Sequence, residues 1–309
     1  MILALSLNTA LDKTYVLGRL SPGVRHTPLQ TLTLAGGKAV NAVRTLKLLG
    51  LRARILGMTA GSAGRHIESL LSAEGIAADW VRLPKGESRT CITLTEKRGR
   101  TLPTEVNELG PQVPPSAVSI MEELFRRRLP QCRFVLLCGR LAPGFPKDFY
   151  ARLIRAASAL GVPSALDTSE PALSASLRAG PDIVKPNRDE MAELGLSTAR
   201  RDWRASLEAL RKLGARQAYV TLGAQGALML SGGQRLHAAA PISHAGSPIG
   251  CGDTFLAGIV YSGLKGWPAD RRLAFATALA SAGARTLGAG VFRRPDLEDA
   301  LRRTRTRPI

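Results

Sequence analysis

The segment Ser247-Pro-Ile-Gly-Cys-Gly-Asp-Thr-Phe-Leu-Ala-Gly places small residues, Gly250, Cys251 and Gly252, before Asp253 and a strong helix pattern. Two glycines let the backbone turn so that several N–H groups face one concavity at a helix N-terminus. That concavity suits an anion, and a phosphoryl group in transfer carries spread negative charge that such donors stabilise. Asp253, beside the concavity, has the chemistry of a general base toward a hydroxyl. An N-cap Asp after a glycine turn is the alternative reading.

Three more segments combine polar groups with turn residues. In Ala35-Gly-Gly-Lys-Ala-Val-Asn, Gly36 and Gly37 allow close backbone approach to a ligand. One helical turn on, Asn41 can donate and accept hydrogen bonds to sugar hydroxyls. The spacing is not that of a Walker P-loop, and an ordinary glycine-rich turn is the alternative. In Val184-Lys-Pro-Asn-Arg-Asp-Glu, Asn187 and Glu190 lie three apart at a helix start. They either hold the water ligands of Mg²⁺ or form a capping box. Thr221-Leu-Gly-Ala-Gln-Gly-Ala, which joins two short strands, is either a hairpin turn or a nucleotide-phosphate loop.

The elements that must position these groups alternate between periods of about 2 and 3.6. Strands are predicted at Ile2–Leu7, Ala53–Gly57, Phe134–Cys138, Ser164–Asp167, Ile183–Lys185, Ala218–Thr221 and Ala227–Leu230. Helices are predicted at Val40–Leu49, Ala63–Glu74, Pro146–Leu160, Arg188–Leu194, Arg204–Leu213, Thr254–Leu264 and Arg271–Leu287. This is the signature of βαβ units on a mostly parallel sheet. Residues 12–34 and 88–104 break the rhythm with short alternating strands (Thr14–Leu17, Leu29–Leu34, Thr90–Thr95) and no helix between them. They read as a small antiparallel sheet, a lid on one domain spanning 1–309 rather than a second domain. Residues 103–116 read as a proline-containing connection.

Composition narrows the function classes. Cys91, Cys132, Cys138 and Cys251 form no CxxC pair, which argues against a disulfide framework or structural zinc and fits a reducing, cytoplasmic setting. The N-terminal MILALSLN reads as a first strand, not a signal peptide, and the longest uncharged apolar stretch is too short to span a bilayer. The net charge is +19, and 34 of the 43 basic residues are Arg. Nucleic-acid binding would use such charge. However, clustering is confined to Arg126–Arg128 and the tail (Arg302, Arg303, Arg305, Arg307), and no nucleic-acid-binding motif accompanies it. A field of this sign favours anionic small substrates.

The four segments, in this order, resemble the PfkB (ribokinase-like) carbohydrate kinase family from Asn8-Thr-Ala-Leu-Asp12 to the helix containing Thr277–Arg285. The opening LNTALD, Ser88-Arg-Thr-Cys-Ile-Thr-Leu-Thr-Glu-Lys, Leu166-Asp-Thr-Ser and KPNRDE are most similar to its 1-phosphofructokinase and tagatose-6-phosphate kinase branch. The resemblance implies a three-layer α/β/α core with a small β lid, ATP and Mg²⁺ as cofactors, and a sugar phosphate as substrate. Fructose 1-phosphate is the favoured one, ahead of tagatose 6-phosphate and fructose 6-phosphate. A kinase of an unphosphorylated sugar or nucleoside on the same fold is the nearest alternative, and a non-catalytic sugar-phosphate sensor is another.

By the same resemblance, Asp253 would be the base, and the backbone of Gly250, Cys251 and Gly252 the anion hole. Asp12, Gly36, Gly37, Lys38 and Asn41 would bind the sugar, with Arg89 reaching its phosphate from the lid. Lys185, Asn187, Thr221, Gly223, Ala224, Gln225 and Gly226 would contact ATP, with Glu190 near magnesium and Ala278 and Ala282 flanking the adenine. A homodimer through the lid sheets is implied as well. Three positions depart from the family pattern. Cys251 replaces an alanine in the anion hole. Ala39 replaces a glycine, which disfavours positive φ there. Arg140, in Cys138-Gly-Arg-Leu-Ala-Pro-Gly, stands where relatives carry a serine, and so is a further candidate for the substrate phosphate.

Overall fold

The computed structural model describes residues 1–97, 102–241 and 247–309. Its strands are β1 (Ile2–Ser6), β2 (Ala10–Leu17), β3 (Gln30–Gly36), β4 (Ala53–Ala60), β5 (Ala77–Leu83), β6 (Arg89–Glu96), β7 (Thr104–Asn107), β8 (Phe134–Cys138), β9 (Ser164–Asp167), β10 (Ile183–Val184), β11 (Gln217–Thr221), β12 (Ala227–Ser231), β13 (Gln234–Ala239) and β14 (Arg305–Pro308). The helices are α1 (Lys38–Leu48), α2 (Gly61–Ala73), α3 (Pro115–Arg128), α4 (Phe149–Ala159), α5 (Ala172–Leu177), α6 (Arg188–Glu193), α7 (Trp203–Lys212), α8 (Cys251–Leu264), α9 (Ala269–Gly283) and α10 (Arg294–Arg303).

The large sheet runs β14-β13-β12-β11-β10-β9-β8-β1-β4-β5. Every pair from β11 to β5 is parallel, and β12, β13 and β14 extend the sheet by antiparallel pairing. Alternation within each strand sends side chains to two cores. Leu3, Leu5, Val135, Leu137 and Val220 pack with α3, α4, α5 and α7 on one face. Ile2, Ala4, Leu136, Tyr219 and Met229 pack with α1, α2, α8 and α9 on the other. The result is the expected three-layer α/β/α core, with the ligand-competent edge at the carboxyl ends of the parallel strands.

The small sheet has the order β3-β2-β6-β7. Its outer pairs, β2 with β3 and β6 with β7, are antiparallel, whereas the central pair β2 and β6 is parallel, with Asp12 opposite Cys91. The sheet read from the sequence as antiparallel is so only within each pair β2–β3 and β6–β7, because alternation along a strand does not say how two pairs distant in sequence are laid together. Strand β7 falls inside the stretch read as a proline-containing connection, and residues 98–101 of the expected lid lie outside the described residues. Ala39 lies in α1, buried against the core, and the positive φ of that turn belongs to Gly37 (φ 103°). The alanine therefore meets no backbone penalty.

Candidate active site

Helix α8 is driven into the core by Phe255, Leu256, Ile259 and Val260, which fixes where its N-terminus points. Gly250, in the left-handed region at φ 75°, turns the chain into it, and a Cβ there would run into Ala289. A side chain at this position is therefore excluded twice, by conformation and by contact. By helix geometry the leading N–H groups of such a helix have no carbonyl partner and leave an anion-attracting end. Asp253 stands in this first turn, buried, with Oδ2 accepting a hydrogen bond of 2.8 Å from Asn41 Nδ2. The N-cap alternative does not hold, because Gly250 occupies that position and the carboxylate turns to α1 instead.

Asn41 is oriented in turn by Arg44, whose Nη1 donates to Asn41 Oδ1 at 3.2 Å and to the Ala289 carbonyl at 3.0 Å. The same guanidinium grips Glu74 and donates to the Ala35 carbonyl. One side chain thus ties α1, the turn before it and the Gly288–Gly290 loop around the acid. Pattern reasoning misses it, because an Arg one turn beyond Asn41 reads as solvated helix surface.

Beside Asp253 lies a compensated charge cluster. Asp167, at the end of β9 and fully buried, makes ion pairs with Lys38 Nζ at 2.8 Å and with Lys185 Nζ at 3.0 Å. Lys38 also pairs with Glu190 at 2.7 Å. Burial works against the Asp167 anion, but Lys185 and Lys38 hold its carboxyl below the usual range. Burial likewise works against the Lys38 ammonium, and Asp167 and Glu190 keep it firmly charged. Asp253 is the exception. Burial and the nearby Asp167 push its pKa up to about 7, against the pull of Lys38, the Asn41 hydrogen bond and Lys185. A carboxylate poised near neutrality is matched to proton abstraction at physiological pH.

The lysine at 38, assigned by resemblance to the sugar, is turned toward these two carboxylates. Asp167 enters the sequence reading only as part of Leu166-Asp-Thr-Ser. An acidic residue closing a buried parallel strand is the signal that would have found it. Asn187 and Glu190 form the capping box: Asn187 Oδ1 accepts from the Glu190 N–H and Glu190 Oε2 from the Asn187 N–H, both at 2.8 Å. With Oε1 held by Lys38, neither residue offers an unengaged oxygen for direct metal ligation, and no group of three His, Cys, Asp or Glu able to hold a metal occurs among the described residues.

The small sheet lines the other side. Asp12 on β2 occupies the space a Gly36 Cβ would need, so Gly36 is required by this carboxylate. Burial raises the Asp12 pKa to about 6, against Arg89 and Arg44. Arg89 begins β6, donates from Nε to the Asn8 carbonyl at 3.0 Å, and makes no hydrogen bond from its terminal nitrogens among the described residues. A narrow cleft of about 20 Å³ lies between Asp12, Thr14 and Leu34 of the small sheet and Ser247, Ile249 and Ala289 of the core. As it stands it has room for little more than a water, so a sugar would enter only if the small sheet shifts away from the core.

The segment 221–226 is a hairpin turn: Leu222 N–H donates to the Gly226 carbonyl at 2.8 Å, and β11 and β12 flank it. Gly223 and Gly226 take positive φ, and Ala224 and Gln225 form its tip between them. Thr221 bridges to Asn187, which brings the two segments together at the sheet edge. Lys185 is buried, 3.4 Å from where a Gly252 Cβ would stand, which joins it to the anion end of α8. Ala278 and Ala282, expected beside the adenine, are both fully buried within the packing of α9. Arg140 is exposed, 3.4 Å from Ser169 Oγ, beyond the end of β8. Cys251 is half-buried and its thiol is pushed up to about 12 by burial and Asp253, so it stays a neutral thiol in the cradle.

A doubly faced α/β sheet, with an anion end and a buried acid at its ligand edge, defines a group-transfer architecture of the ribokinase kind. Residues 7–295 match the pfkB family carbohydrate kinase, and the chain belongs to that family. Its structure is similar to that of a protein described as a possible 1-phosphofructokinase from Thermotoga maritima (TM-score 0.89, 20% identity, covering 100% of this chain and 99% of the other). It is also similar to phosphofructokinase-2 from Escherichia coli in complex with potassium (TM-score 0.87, 23% identity, 97% and 98% covered). Ribokinase from Arabidopsis thaliana, complexed with ribose and ATP, is similar at TM-score 0.73 and 21% identity, with 97% and 98% covered. No helix among the described residues is long and apolar enough to cross a membrane.

Proposed function

We propose that this carbohydrate kinase transfers the γ-phosphoryl group of ATP to a hydroxyl of a ketohexose monophosphate, with fructose 1-phosphate the favoured acceptor and fructose 1,6-bisphosphate the product. The observation that carries this reading is Asp253: a buried carboxylate with a pKa of about 7 in the first turn of a glycine-led helix. In the reaction, Asp253 takes the proton of the accepting hydroxyl and that oxygen bonds to the γ-phosphorus. The bond from phosphorus to the β–γ bridging oxygen breaks, and ADP leaves. The backbone N–H groups at the start of α8 and the Lys185 ammonium face the charge that spreads over the transferred group.

Mg²⁺ accompanies ATP in this reading and offsets phosphate charge. Because the oxygens of Asn187 and Glu190 are engaged, these residues fit a water-mediated contact to it and not direct ligation. The lid supplies the preference for a phosphorylated sugar. Asp12 faces the sugar hydroxyls, and the uncommitted nitrogens of Arg89 match a phosphate. Val24, Leu29, Leu102, Val106 and Leu109 leave apolar surface exposed on and around the small sheet, which a second copy of the chain would cover in a lid-to-lid homodimer.

ADP release measured with fructose 1-phosphate, fructose 6-phosphate, tagatose 6-phosphate, fructose and ribose tests the reading. The expected result is the highest kcat/KM for fructose 1-phosphate. A preference for fructose or ribose would overturn the sugar-phosphate assignment, and no turnover with any of the five would overturn the kinase itself.

A further inference from the structure

A second cleft, of about 460 Å³, lies at the far edge of the large sheet. Leu236 and Ala238 of β13 point into the core with α8 and α9, so His237 points to the opposite face, where α7 lies. Arg307 of β14 is directly opposite His237 in the register and shares that face. Trp203, the first residue of α7, stacks on the His237 ring with centroids 4.8 Å apart. Arg200 lies over the other side of the cleft, its guanidinium carbon 6.0 Å from the Trp203 ring centre. Arg188, from the start of α6, completes the rim.

The charge here is unbalanced. Arg188, Arg200 and Arg307 make no ion pair with a carboxylate among the described residues, and the buried Arg188 Nε has no hydrogen-bond partner. Asp202, next to Trp203, is engaged by Ser197 at 2.6 Å. His237 adds no charge: Nε2 donates to the Gln225 carbonyl at 2.7 Å, leaving Nδ1 to accept from Arg307 Nε at 3.4 Å, and the neutral tautomer satisfies both. Three guanidiniums around one recess, with an aromatic floor and no compensating acid, have the chemistry of a polyanion site.

We propose that this cleft binds a small oligophosphate anion, and that its occupancy is felt at Gln225. That residue is held from below by the His237 ring and by Arg188, which donates to its side-chain oxygen. Gln225 sits in the 221–226 turn, so the second half of the proposal rests on reading that turn as the nucleotide loop. A ligand that recruits Arg188 releases Gln225 and alters the tip of the turn. The cleft is on the opposite face of the sheet from α8 and Asp253, so it is separate from the site of transfer.

Calorimetric titration of pyrophosphate and tripolyphosphate, with chloride at equal ionic strength as reference, tests the site without requiring turnover. The parent should bind tripolyphosphate more tightly than pyrophosphate. Arg200→Ala combined with Arg307→Ala should weaken both at least tenfold. Both side chains are exposed, so the fold should be unaffected. Should the double variant not unfold cooperatively, the corresponding pair of lysine substitutions, which keeps charge but loses the bidentate fork, should give an intermediate loss. Equal affinity in parent and variant, or no affinity in either, overturns the site. In a second arm the KM for ATP is measured with and without pyrophosphate. A shift of threefold or more in the parent, absent in the variant, supports the link to Gln225. An insensitive parent KM alongside arginine-dependent binding overturns that link alone.

Discussion

The two sides of the candidate active site are built on opposite principles. On the transfer side, Asp167, Lys38, Lys185 and Glu190 compensate one another in a buried network, and Asp253 alone is left with a perturbed, titratable carboxylate. On the lid side, Asp12 is half-buried and Arg89 is engaged through a single nitrogen, while Arg140, beyond the end of β8 in the large sheet, stands in solvent. The first side is organised before any substrate arrives, as electrostatic stabilisation of a transition state requires. The second has donors still to be used, which is how binding energy from a remote phosphate is collected. Chemistry should therefore depend on the first side and substrate choice on the second.

Replacing the proposed base should make the sharpest break. Asp253→Asn keeps the size and the Asn41 contact but cannot take a proton, so kcat should fall by about 10²–10⁴ while ATP still binds. In the parent, kcat/KM should rise with pH through about 7, the pH at which Asp253 loses its proton. The sign for stability is the reverse. A carboxyl whose pKa is raised from 3.8 to about 7 on folding favours the fold at low pH, and loses that contribution as pH climbs through this window. Asp253→Asn should thus raise the unfolding midpoint at pH 8 and leave it unchanged near pH 4. Turnover within a few-fold of the parent would remove Asp253 as the base.

Asp167→Asn probes the network that surrounds the base. Removing one partner from a buried ion pair costs about 3–5 kcal/mol, and here Lys185 loses its carboxylate while Lys38 keeps only Glu190, so chemical denaturation should detect a large loss. The kinetic signature separates this from mere destabilisation. Asp167 raises the Asp253 pKa, so the acidic limb of the pH profile should move to lower pH in the variant. A limb that stays near 7 would mean that burial alone sets it.

This network also marks the boundary of what the sequence discloses. The βαβ alternation and the glycine-led α8 are legible because each is a local pattern of apolar period and turn residues. Asp167, Arg44 and the turned-in Lys38 are not, because their partners lie 129, 30 and 152 residues away and only packing brings them together. The same reason hides β14, whose Arg-Thr-Arg-Pro carries no apolar alternation and is a strand only because β13 offers it an edge. It hides the parallel β2–β6 pair as well. For Asn187 and Glu190 the sequence offered two readings; local geometry shows the capping box, and the water-mediated contact to Mg²⁺ stands beside it as a proposal.

On the lid side, Arg89→Ala should separate substrates rather than stop chemistry. A charge-assisted hydrogen bond contributes about 1.5–3 kcal/mol, so kcat/KM for phosphorylated ketoses should fall about tenfold or more, with that for fructose nearly unchanged. Equal losses on both would make Arg89 a support for the Asn8 carbonyl and the strand, not a reader of phosphate.

The smallest effect belongs to Arg140. Its place beyond β8 is on the ligand edge of the sheet, but its guanidinium is exposed and its one protein contact, to Ser169 Oγ at 3.4 Å, is long. An exposed charge pair contributes about 0.2–1 kcal/mol, screened further by salt. Arg140→Ser should accordingly raise the KM for the sugar phosphate no more than about fivefold, and the difference should shrink as salt is added. A tenfold or larger, salt-insensitive rise would show that the lid closes far enough to draw Arg140 out of solvent, and the division between a finished side and an unfinished one would then hold only before substrate binds. A lower KM would show the opposite, a guanidinium that stands in the way of the sugar.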